Sequence, residues 1–67
     1  MDKPFLVIGS TRMVGGAPVN EGMEFPILWR SKVCGRDVVH VGVVWEGQSR
    51  ALAIYLSPKD KIEFRDD

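Results

Sequence analysis

The sequence predicts an all-β domain, either a small five-stranded barrel or a strongly twisted antiparallel meander. Three observations carry that expectation. Valine and isoleucine concentrate in short segments with period-two alternation, above all DVVHVGVVW (residues 37–45), where β-branched side chains disfavour helix. Glycine- and proline-bearing punctuation separates these segments. At 67 residues the chain is also too short for a second core. Residues 1–67 are therefore read as one domain, and a domain this small buries only about 60% of its unfolded surface.

The first strand is expected over PFLVIGS (residues 4–10), where Phe5 to Ile8 form a continuous apolar run and Pro4 suits a strand's first position. Residues 10–22, STRMVGGAPVNEG, hold Gly15, Gly16, Pro18 and Gly22 and are read as a long flexible loop. EFPILWRSKV (residues 24–33) sets Phe25, Ile27, Trp29 and Val33 against Glu24, Arg30 and Lys32, the pattern of a half-buried strand, with Pro26 marking an edge or a bulge. Gly35 can supply the positive φ of a hairpin turn into the next segment. There Val39, Val41, Val43 and Trp45 share the core face, while Val38, His40, Gly42 and Val44 share the other.

Residues 46–49 read as a turn leading to RALAIYLS (residues 50–57), where Leu52, Ile54 and Leu56 alternate with Ala51, Ala53 and Tyr55. A strand is preferred there over a short helix capped by Ser49, because the segment is brief for a helix. SPKD (residues 57–60) is expected to form a single helical turn, and KIEFR (residues 61–65) a last strand with Ile62 and Phe64 inward, running into a solvated tail at residues 65–67. This succession of strands, early long loop and late one-turn connector resembles the architecture of an SH3-like small barrel. The resemblance rests on strand lengths and loop positions alone.

Composition narrows the functions. The nine basic and nine acidic residues cancel, which removes the global attraction to phosphate that dominates most nucleic-acid binding and favours self-association. The apolar runs are far shorter than the ~20 residues a membrane-spanning helix needs. No basic and apolar leader precedes the first strand, and the single Cys34 forms no internal disulfide, so a reducing cytoplasm is the expected location. Cys34 and His40 alone are too few ligands for structural zinc, and no metal or other cofactor is expected.

FLVIGSTRMVGG has glycines after a strand but matches neither the dinucleotide nor the P-loop spacing, so no nucleotide cradle is assigned. Cys34 and His40 could form a thiolate–imidazole pair only by meeting across the Gly35 turn, with no third residue to orient the ring. Ser10, Ser31, Ser49 and Ser57 share that one histidine, and Asp60, Glu63, Asp66 and Asp67 read as a solvated charged end. No enzyme is expected. Trp29 and Trp45 are assigned to the core.

What remains is surface. The face formed by Val38, His40, Gly42 and Val44 is more apolar than water normally tolerates, so it is expected to meet another protein or a second copy. Arg30, Lys32, Arg36 and Arg50, with Tyr55 and His40 as flat surfaces among them, are the residues for the alternative of a nucleic-acid-binding small barrel. A further alternative is a homo-oligomer with a ligand site at its interface. The leading expectation is a small protein-interaction module, an inhibitor or adaptor of the kind phages and mobile elements encode.

Overall fold

The computed structural model describes residues 2–66. Seven strands follow one another: β1 (Asp2–Val7), β2 (Arg12–Val14), β3 (Ala17–Val19), β4 (Glu24–Val33), β5 (Arg36–Trp45), β6 (Gln48–Tyr55) and β7 (Lys61–Asp66). Five of them form one antiparallel sheet in the order β6–β5–β4–β1–β7, and β2 pairs with β3 as a separate hairpin. The chain is all-β, as its alternation predicts, and its main sheet holds the five expected strands. The sheet remains open, with β6 and β7 as its edges.

Three expectations about the connections and the chain's end need correction. Residues 10–22 are not simply a loop: RMV and APV flank Gly15-Gly16 and zip into the β2–β3 hairpin. A two-residue Gly-Gly connection between short strand-forming triplets is a hairpin signal, which the glycine and proline density of this stretch masks. Residues 57–60 form a β-turn rather than a helical turn, closed by the Asp60 amide donating to the Ser57 carbonyl at 2.9 Å, with Pro58 at the position its fixed φ favours. The segment 65–67 is not wholly a tail, because β7 continues through Asp66. Arg65 there makes two 2.6 Å hydrogen bonds to Glu24 and lies over the Phe5 ring. The hydrogen bonds and charge of Arg65 lower the Glu24 pKa, against the opposing effect of burial. Asp67 lies outside the described residues.

β4 is the joint of the sheet. Its first residues, Glu24 to Pro26, pair with β1, and Ile27 onward pairs with β5. Between Ile27 and Trp29 the register slips by one residue, a bulge of the kind that Pro26 foreshadows. On the inner side Leu6, Ile8, Val19, Val39, Val41 and Ile54 form the buried core, with Phe25, Ile27, Val43 and Leu52 packed against it. Val19 is the contribution of the small hairpin. Trp45 and Phe64, both expected inside, are 45% and 68% exposed, because each sits towards the end of its strand, on an open sheet with no further strand to cover it.

Cys34-Gly35 (φ 50° and 78°) and Glu46-Gly47 (φ 52° and 76°) are both two-residue turns with positive φ at each position, the geometry that matches strand twist. Cys34 and Glu46 occupy left-handed backbone that asparagine tolerates better. Cys34→Asn and Glu46→Asn are each expected to stabilise the fold by about 0.5 kcal/mol in urea melts; unchanged midpoints for both would contradict this reading of the turns.

A buried ion pair locks the hairpin to the last turn. The Asp60 side chain is fully buried and that of Arg12 is 23% exposed. Arg12 grips the carboxylate through Nη2–Oδ2 at 2.6 Å and Nη1–Oδ1 at 3.1 Å. The Gly9 and Ser57 amides donate to it at 2.8 and 2.9 Å. Arg12 also donates to the carbonyls of Ser10 and Tyr55. Burial alone would raise the Asp60 pKa, but the Arg12 hydrogen bond and the two amides outweigh it and the pKa is lowered. Asp60 is therefore a structural anchor and not part of a solvated acidic end.

Candidate interaction face

The bulge in β4 decides which side chains reach solvent on the outer side of β4–β5–β6. Side chains alternate faces along a strand, so one extra residue moves everything beyond it to the other side. Ile27 pairs with Val41 on the core side, whereas Trp29 pairs with His40 on the outer side. Trp29 is 51% exposed and does not join the core, which corrects the core assignment read from simple alternation. Val33 moves outward with it.

The outer face then follows from the register. β4 contributes Pro26, Leu28, Trp29, Ser31 and Val33, β5 contributes Arg36, Val38, His40, Gly42 and Val44, and β6 contributes Ser49, Ala51, Ala53 and Tyr55. Arg36 is the single charged side chain among them, at one corner; Glu24, at the β1 end of β4, lies on the same side but outside the β5-paired part of the strand and is held by Arg65. Leu28, Trp29, Val44 and Tyr55 are all exposed. Val38 is buried yet outside the main core, paired with Ser31 and Tyr55.

His40 is fixed by two contacts. Its ring stacks on Trp29 with centroids 4.4 Å apart and planes 15° from parallel, and its Nε2 lies 3.0 Å from Ser31 Oγ. These contacts hold the imidazole parallel to the Trp29 ring. No carboxylate hydrogen-bonds the ring among the described residues. Cys34 sits in the exposed turn five ladder steps from the Trp29–His40 pair, on the order of 15 Å away at strand spacing, so the two do not meet. Gly42 does not bring a backbone close: an added Cβ would find Leu28 and Pro26 side-chain atoms at 3.6 Å, ordinary contact.

The basic residues are dispersed. Arg36 lies over the Tyr55 ring at 4.7 Å on the outer face. Arg30 and Lys32 pair with Val39 and Asp37 on the opposite side, near the Cys34 turn, and Arg50 pairs with Val43 near the Glu46 turn at the far end of β5. The fold thus brings together Val38, His40, Gly42, Val44, Tyr55 and Arg36 and leaves Arg30, Lys32 and Arg50 apart from them. Leu28, Trp29 and Ser31 belong to the face and were not legible as such, because nothing in EFPILWRSKV states where the bulge falls. No group of His, Cys, Asp and Glu capable of holding a metal occurs among the described residues. Among the described residues no helix is long and apolar enough to cross a membrane. Compared with protein-family models, characterised proteins and solved structures, the chain matches none.

Proposed function

We propose that this chain is a non-enzymatic protein-interaction module of SH3-like architecture, an inhibitor or adaptor that docks another protein on the outer face of β4–β5–β6. The observation that carries the proposal is a sheet face with exposed Leu28, Trp29 and Val44 whose part between the paired strands β4, β5 and β6 holds a single charge, Arg36. Such a face is costly in water and is relieved by a partner. Trp29, held against His40 at the middle of β4, has the character of an interface anchor, a large aromatic set in place before binding. The strand order β7–β1–β4–β5–β6, with a hairpin between β1 and β4 and a tight turn before β7, supports the SH3-like reading. An exposed free thiol at Cys34 fits a reducing cytoplasm.

A Trp29→Ala/Val44→Glu double variant tests the face. Both side chains are at least half exposed, so folding should lose no more than about 1 kcal/mol. Tagged wild-type chain is expected to capture a protein from its native host that the variant loses. A wild-type dimer in light scattering that becomes a monomer in the variant would identify a second copy as the partner. Identical capture by both chains, or capture of nucleic acid alone that weakens steeply with salt, would overturn the proposal.

A further inference from the structure

On the inner side of the sheet, a groove of about 430 Å³ runs between the β2–β3 hairpin and the tip of β5–β6. Its volume falls in the range of small-ligand sites. Phe25, Val43, Trp45 and Leu52 supply apolar walls, and the Gly15-Gly16 turn forms one rim. Leu52 closes the floor under that rim, 3.7 Å from where a side chain on Gly15 would begin. Trp45 is 45% exposed here, so an aromatic surface faces the opening.

Among the described residues, the one charged group lining the groove is Arg50. Its guanidinium has a neutral partner only, Nη2 donating to Gln48 Oε1 at 3.0 Å, and it forms no ion pair among the described residues. That sets it apart from the guanidiniums at the second groove, beside Tyr55 and Pro58. Arg12 there is spent on Asp60, and Arg36 is stacked on Tyr55. A guanidinium pairs best with a planar carboxylate, and flat apolar walls favour a flat apolar body.

We infer that the groove between the β2–β3 hairpin and the β5–β6 tip binds a small apolar monocarboxylate, with Arg50 holding the carboxylate and Phe25, Val43, Trp45 and Leu52 enclosing its body. The groove meets the outer face only at Val44 and Ala51 on its edge, and the two reporters are distinct: Trp45 lies in the groove and Trp29 on the outer face, outside the groove's lining.

The test is an NMR titration of the ¹⁵N-labelled chain with 2-naphthoate, using neutral 2-naphthylmethanol as control. A ligand of that size is expected to bind with a Kd of about 0.1–1 mM. The Trp45 indole and the Gly15 and Gly16 amides should shift while the Trp29 indole stays in place. Arg50→Gln, an exposed position whose fold is checked by the dispersion of its spectrum, should weaken naphthoate about tenfold and leave the weak binding of the alcohol unchanged. The inference is overturned by equal affinity for acid and alcohol, by undiminished binding to Arg50→Gln, by shifts centred on Trp29, or by no binding at 10-fold above the expected Kd range, roughly 10 mM.

Discussion

Asp60→Ala is expected to leave much of the chain unfolded at 25 °C. The substitution strands the Arg12 guanidinium and deprives the Gly9 and Ser57 amides of their acceptor, all at a fully buried carboxylate. Breaking a buried pair from one side costs about 3–5 kcal/mol. A domain of this length has a total stability of only about 3–10 kcal/mol, so the melting temperature should fall by at least about 12 °C. Arg12→Met combined with Asp60→Ala should cost less than the sum of the two, because no charge is then left unpaired. A loss below about 1 kcal/mol for Asp60→Ala in urea melts would show that the ion pair does not hold the hairpin.

The same carboxylate sets the acid limit. Its pKa is lowered in the fold, burial being outweighed by Arg12 and the two amides. A lowered folded-state pKa means that the stabilisation is complete above the ordinary aspartate value of 3.8 and is lost as pH falls through the lower folded value. Stability should therefore decline in that acidic window, and decline less steeply in Asp60→Ala. An equally steep decline in the variant would assign the acid transition to other carboxylates.

Gly9→Ala is the second large effect. An added Cβ would lie 1.9 Å from the Lys59 carbonyl oxygen and 2.2 Å from its carbon, both backbone atoms of the turn that carries Asp60. Neither can move without pulling on the Gly9 amide that donates to Asp60. The expected cost is about 3 kcal/mol or more. Gly42→Ala provides the contrast, since its Cβ meets only side-chain atoms at 3.6 Å. Its expected effect is neutral or a gain of about 0.5 kcal/mol. Comparable losses at both positions would mean that close approach of the chain at Gly9 is not the cause.

The two glycines show how much of the fold was legible in the sequence. Gly35 and Gly47 announce tight turns by their neighbours, and the valine alternation of β5 places Val39 and Val41 inside, where both are fully buried. Nothing local marks Gly9 as the point where residue 59 crosses, because that contact joins distant parts of the chain. Arg12 and Asp60 hide for the same reason: 48 residues separate them, and each alone reads as an ordinary polar residue in a connection.

The candidate face divides in the same way. Strand type, turn positions and the apolar second face of β5 follow from short-range patterns, because β-branched side chains and glycine act on the backbone next to them. The sequence by itself therefore determined an all-β chain of five main strands with Val38, His40, Gly42 and Val44 on one side. Tertiary structure alone decided that the glycine-rich stretch closes as a hairpin over the core, that Asp60 is buried, and that Trp29 faces outward. The last of these turns on one residue: period-two alternation is an exact rule only while register holds, and the slip between Ile27 and Trp29 is set by how β4 must bend to serve both β1 and β5.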